Sequence, residues 1–239
     1  MSFKVRNQID TRGMIAYYDA YYPNSASSGS LSWKDILRNN ADCTLINGAY
    51  YNSASYNGSI YCDGADDYIY MPYPSITTQS FAVEVWYDCT PGGGYLRGIL
   101  SCGNLFGGGN DAWPPGFTLG YWTGNGQFAY GITDETGTTS RARWFYNAMP
   151  PVGKPAHLFF HRNTETQQLS LTVNGTAKEY FYLSNATSIA GHRNYLSGDA
   201  YSGPAQQGNY YMTKLYLNRN FTDTEILDNF NLTRARFGI

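Results

Sequence analysis

The sequence predicts an all-β fold: a sandwich of two antiparallel sheets with one short C-terminal helix. Three observations carry that prediction. The chain of 239 residues holds 23 Tyr and 26 Gly, with 17% aromatic and only 14% charged residues, a balance that favours strands and turns over helices. About a dozen short runs follow one another at roughly the 8–12-residue spacing of a sandwich. Only one segment starts convincingly like a helix. There Thr222 is an N-cap, Glu225 completes a capping box, and Phe221 before the cap can staple onto Ile226.

The length suits one large β domain, and the hydrophobic content of 42% is ample for a core. A formal charge of −2 gives no general attraction to nucleic acid or an anionic membrane. No apolar run approaches the roughly 20 residues of a membrane span, so no membrane insertion is expected. The opening MSFKVRNQIDTRGM lacks the apolar core of an export signal, which predicts no Sec export. Cys43, Cys62, Cys89 and Cys102 show no CxxC spacing and read as buried free thiols, with a single bridge as the alternative for a particle outside the cell.

Residues 1–12 are polar and carry Lys4, Arg6 and Arg12, and they read as an arm or a first edge strand, the arm being where anchoring to a partner is expected. Residues 13–239 read as a single domain, with no linker and no internal repeat. Met14 to Ala20 predicts the first strand, followed by the small-residue loop Pro23 to Ser30. Trp33 to Ile36 predicts one turn of helix, and Asn47-Gly48 a tight turn. Two short strands, Ser59 to Gly64 and Asp67 to Met71, flank an acidic turn. Phe81 to Tyr87 is the clearest central strand, with Phe81, Val83, Val85 and Tyr87 on one face and Ala82, Glu84, Trp86 and Asp88 on the other. Phe117 to Trp122 and Phe128 to Ile132 make a hairpin. Pro155 to His161 pairs with Leu169 to Val173, and Asn174-Gly175 supplies a type I′ turn into the next strand. Leu215 and Leu217 lie on a last strand before the capped helix, whose apolar stripe is Ile226, Leu227 and Phe230.

Taken in order, the segments IAYYDAYYPNS, SWKDI, GSIYCDGADDYIYMP, SFAVEVWYD, GILSCGN, GFTLGYW, HLFFHRN, LSLTVNG and YYMTKLYLNRNFTDTEILDNFNLTRARFGI cover nearly the whole chain. In that order they resemble the concanavalin-A-like (laminin-G-like) jelly-roll domains, in particular those of virion structural proteins of tailed bacteriophages. The resemblance implies a jelly-roll sandwich with the helix on its convex side or edge. It implies a non-enzymatic structural protein on the virion surface, a capsid decoration or similar lectin-like protein, assembled in the host cytoplasm. Its partners would be other virion proteins such as the capsid shell. The alternative is a carbohydrate-binding adhesin that attaches particles to host or environmental polysaccharide.

Catalysis finds little support in the residues. Glycoside hydrolysis needs two carboxylates projecting from one face, and the nearest approach is Glu84 with Asp88 on one strand, with no second Glu following. His157 and His161 share a strand face and read as packing before zinc ligation. Asp63, Asp66 and Asp67 are calcium candidates, with hydrogen bonding inside a tight turn as the competing account. Otherwise no cofactor is expected. For glycan or protein contact the candidates are Asn110, Asp111 and Trp113 in one loop and Tyr195, Asp199 and Tyr201 in another, because sugar rings stack on aromatics beside polar side chains.

Overall fold

The computed structural model describes residues 9–72, 79–89, 96–102, 116–122, 127–133, 140–145, 153–183, 194–197 and 207–239. Among these the strands are β1 (Met14–Asp19), β2 (Ser32–Trp33), β3 (Cys43–Ile46), β4 (Tyr50–Asn52), β5 (Ser59–Cys62), β6 (Tyr68–Met71), β7 (Phe81–Cys89) and β8 (Leu96–Cys102). They continue with β9 (Gly116–Trp122), β10 (Gln127–Thr133), β11 (Ser140–Phe145), β12 (Pro155–Asn163), β13 (Gln168–Val173), β14 (Ala177–Tyr182), β15 (Asn194–Leu196) and β16 (Gly208–Leu217). Helix α1 (Asp223–Thr233) and a 3-10 turn, Arg234–Phe237, follow.

The strands form two sheets, with all pairings antiparallel. The first sheet runs β14-β13-β12-β7-β16-β5-β4, with β1 also on β16; the second runs β11-β10-β9-β8-β15-β6-β3-β2. This is the predicted jelly-roll sandwich. Its interior takes Phe81, Val83, Val85 and Tyr87 from β7 and Leu169, Leu171 and Val173 from β13, against Leu100, Phe117, Leu119 and Tyr130 of the second sheet. Cys43 and Cys62 are buried free thiols, as the spacing predicts. The Asn174-Gly175 turn has φ of 51° and 73°, both left-handed, as a type I′ turn requires.

A second apolar cluster lies on the outer face of the first sheet. Ala82 and Trp86 of β7, Phe159 of β12, and Met212 and Tyr216 of β16 are covered there by Phe221, Ile226, Phe230 and Phe237. The helix therefore lies across the sheet. The capping box forms: Thr222 Oγ1 accepts from Glu225 N–H at 3.2 Å, and Glu225 Oε2 accepts from Thr222 N–H at 2.9 Å. Arg234 and Arg236 do not sit in the last α turn but in the 3-10 turn after it.

One local reading changes. Trp33 is a strand residue paired with Cys43, its ring 5.8 Å from Tyr18, not the start of a helical turn. The reason lies in Asp35, whose carboxylate accepts the backbone N–H groups of Tyr17, Leu37, Asn39 and Asn40 and so holds a compact turn. The acidic turn at Asp63 to Asp67 joins strands of different sheets, β5 in the first and β6 in the second.

Candidate binding site

The outer face of β7 carries Glu84 and Asp88, the nearest approach to an acid–base pair in the strand pattern, and both are locked. Glu84 is fully buried. Its Oε1 accepts from Lys214 Nζ at 2.8 Å, and its Oε2 from Tyr216 Oη at 3.2 Å and Asn229 Nδ2 at 3.1 Å. His157 Nε2 lies 3.2 Å from Oε1 but off the line of a hydrogen bond. Burial pushes the Glu84 carboxyl up, yet the Lys214 charge and His157 outweigh this and hold it down at about 2. Asp88 accepts from Asn209 N–H at 2.8 Å and from Tyr211 Oη at 2.5 Å. Glycosidases need both carboxylates of their pair in reach of substrate, and Glu84 and Asp88, buried and held in these hydrogen bonds, are not.

His157 and His161 do share the outer face of β12, but they serve packing. His161 is 3% exposed, with its ring 5.8 Å from Phe221 and 6.3 Å from Phe159. Burial, with a smaller contribution from Lys178, lowers its pKa from 6.5 to about 4. The unfolded chain therefore takes up this proton as pH falls below about 6.5, whereas the folded protein resists until about 4. Stability should drop across that window by about 3 kcal/mol from this group alone. His161→Phe is expected to remove that part of the decline, read as denaturant midpoints from neutral to mildly acid pH. An unchanged slope in the variant would show that the proton goes elsewhere.

Asp63, Asp66 and Asp67 come together, with one ligand oxygen from each within 4.8 Å of the others. Their hydrogen bonds run inward. Asp63 Oδ1 accepts from Ala65 N–H at 2.8 Å, and Asp67 Oδ2 accepts from Asp63 N–H at 3.0 Å. Asp67 Oδ1 is buried without a partner and lies only 2.9 Å from where a side chain on Gly48 would begin, so it faces the β3–β4 turn. Asp63 and Asp66 are exposed. The geometry fits an Asx turn better than a calcium cage, which needs six or more converging oxygens, about. A thermal midpoint unchanged by chelator is the expected result; a fall of several degrees on adding chelator would restore the metal.

Of the predicted contact residues, Asn110, Asp111, Trp113, Asp199 and Tyr201 lie outside the described residues, as do Lys4 and Arg6 of the arm. The backbone of Tyr195 is in β15, between β6 and β8. Arg12 is bound to the body, with its guanidinium on Asp10 at 2.5 Å and Glu225 at 3.3 Å. Arg219 joins both acids, at 2.8 and 3.0 Å.

The described residues contain a cavity that the sequence reading missed. It holds about 420 Å³ between the end of β1, the turn after β4 and the C-terminal 3-10 turn. Tyr21 and Tyr22 stand at its rim, 50% and 45% exposed, with ring centroids 5.4 Å apart at 83°. Asp19 and Arg236 line it, joined by an ion pair of 2.7 Å. Asp19 also accepts from Tyr17 Oη at 3.0 Å and Tyr21 N–H at 2.9 Å. Arg236 further donates to the carbonyls of Tyr56 at 3.1 Å and Gly58 at 2.6 Å. Those carbonyls belong to a strained turn in which Tyr56, Asn57 and Gly58 have φ of 43°, 64° and 130°. Gly58 is required there, because a Cβ would sit 2.3 Å from the Ala20 carbonyl. The doublet Tyr21-Tyr22 directly before Pro23 was the visible signal, since two large aromatics at a strand end have no alternation to bury both.

An open, partly apolar cavity rimmed by two exposed Tyr rings and floored by a charged pair can hold a ligand that stacks and hydrogen-bonds. The sequence profile of the concanavalin A-like lectin/glucanases superfamily matches residues 63–226, and the chain belongs to that superfamily. No curated protein matches the chain by sequence. Among solved structures, the binding domain of paraclostridial mosquitocidal protein 1 superposes with a TM-score of 0.70 at 12% identity, over 92% of this chain and 52% of that one. The receptor-binding domain of botulinum neurotoxin D gives 0.67 at 11% identity, over 92% and 52%. Domain 4 of an extracellular GH43 arabinanase from Geobacillus stearothermophilus, solved in complex with arabinotriose, gives 0.64 at 16% identity, over 90% and 97%. The chain thus spans about half the length of the toxin domains and nearly all of the arabinanase domain. At such identities the likeness establishes the fold.

Proposed function

We propose that this chain is a non-enzymatic carbohydrate-recognition protein of a tailed-phage virion, carried on the capsid or another exposed surface. The observation that carries the recognition reading is the contrast on the outer face of the first sheet. There the carboxylates of Glu84 and Asp88 are sealed inside hydrogen-bond networks, while the Tyr21–Tyr22 cavity beside them stands open. Superfamily membership and the solved binding domains, one holding arabinotriose, support a binding role. The virion placement is supported by the ordered segments that resemble phage structural proteins, and its partners would be shell proteins reached through the N-terminal arm.

Two experiments test the parts separately. A multivalent preparation on an array of oligosaccharides should give hits, because avidity raises weak single-site affinity by orders of magnitude. A blank array discards carbohydrate recognition. Purified particles should contain the chain at a fixed copy number relative to the major shell protein, and deleting residues 1–12 should lower incorporation. Absence from particles discards the virion role, whereas undiminished incorporation discards the arm.

A further inference from the structure

A second cavity adjoins the first. It holds about 660 Å³ and is lined by the Pro23–Ser30 loop together with Lys34, Asp35, Arg38 and Asp42. Tyr22 lines both cavities. Tyr22 is thus common to both, exposed, with its ring set nearly perpendicular to that of its neighbour Tyr21. Two rings at this angle present stacking faces in two directions, which suits consecutive sugar units rotated about a glycosidic bond. The second cavity is hydroxyl-rich, with Ser27 exposed and Ser30 half-buried.

Charge narrows the ligand. The first cavity contributes Asp19 and Arg236, bound to each other; the second contributes Lys34 and Arg38 against Asp35 and Asp42. Each cavity is therefore electrically balanced, and neither offers the surplus of cations that a polyanionic chain would need. We infer that Tyr22 divides one groove into two subsites, and that the groove takes an internal stretch of a neutral polysaccharide chain in preference to a single terminal sugar. This inference rests on the carbohydrate-recognition reading.

Calorimetric titration with cello-, malto-, xylo- and arabino-oligosaccharides, from monosaccharide to hexasaccharide, tests it, with oligogalacturonates as the acidic counterpart. For the series that binds, affinity should climb beyond the disaccharide by about tenfold or more before it levels. Ser27→Trp places a bulky side chain in the second cavity from an exposed loop. It should cancel that climb. Tyr22→Ala should weaken all lengths. Affinity that is flat with length, or untouched by Ser27→Trp, overturns the two-subsite groove while leaving carbohydrate recognition standing. Tighter binding of the oligogalacturonates overturns the neutral ligand. No binding in any series removes the groove together with the reading beneath it. Thermal midpoints of both variants close to that of the parent keep these outcomes interpretable.

Discussion

Lys214→Met is expected to cost about 3–5 kcal/mol of stability, measured by urea denaturation at neutral pH. A small domain holds only roughly 5–15 kcal/mol in reserve, so this one change should bring the protein close to unfolding. The cause is the charge left behind. Glu84 is completely buried, and Lys214 is the cation beside it, itself 1% exposed. Neither Tyr216 nor Asn229 can neutralise a carboxylate; they only donate to it. The pH dependence gives a second check. In the parent protein Glu84 stays ionised down to about 2, below its unfolded value of 4.5. Its contribution is therefore complete above about pH 4.5 and is lost as pH falls through about 2. Without Lys214 burial is opposed mainly by His157, so the folded pKa is expected to move up and the deficit of the variant should shrink on mild acidification. Glu84→Gln combined with Lys214→Met should recover much of the loss. A double variant no more stable than Lys214→Met would mean that the charge is not the cause.

Trp86→Ala should be nearly as damaging, at about 3–5 kcal/mol for the loss of a fully buried indole. Its ring is stacked on Phe237 at 4.1 Å and near-parallel to Phe230 at 5.8 Å, and its Nε1 donates to Thr233 Oγ1 at 2.9 Å. Three points on the C-terminal segment thus rest on one side chain of β7. Trp86→Phe preserves most of the stacking and drops the hydrogen bond, so a loss nearer 1 kcal/mol is expected. Because Thr233 and Phe237 also line the Tyr21–Tyr22 cavity, Trp86→Ala should lose ligand binding even under conditions where the sheets remain folded. Equal losses for Ala and Phe would point to the hydrogen bond as the main link.

The parts of this protein that depend on near neighbours in sequence were legible, and those that depend on distant pairing were not. The alternation along Phe81 to Tyr87 assigned both faces of β7 correctly, and the Thr222–Glu225 box located the helix start. That Glu84 would be neutralised by Lys214 could not be read, since 130 positions separate them and only the β7–β16 register brings them together. The apolar stripe of the helix gives no hint of Asn229, which reaches Glu84 from the buried side. On β16 a bulge between Tyr210 and Met212 turns both Tyr211 and Met212 outward, which defeats a strict two-residue rule. The candidate cavity was hidden for the same reason. Its floor joins Asp19 to Arg236 across 217 positions, and nothing local marks either as the partner of the other.

The position of β16 bears on how the chain comes into being at the ribosome. It lies in the middle of the first sheet, hydrogen-bonded to β7 along one side and to both β5 and β1 along the other. Yet it is made after every other strand described. At about 5–20 residues per second, β7 waits on the order of ten seconds for this partner, and β1 waits longer still. For the first part of that interval β7 has neither neighbour, and once β12 is made it covers one edge only, leaving an open ladder on the other with apolar side chains on both faces. Such an edge is a template for pairing with the wrong chain. Crowded polysomes, slow codons upstream of Gly208, or a shortage of chaperones should therefore limit the yield of this protein well before its folded stability does.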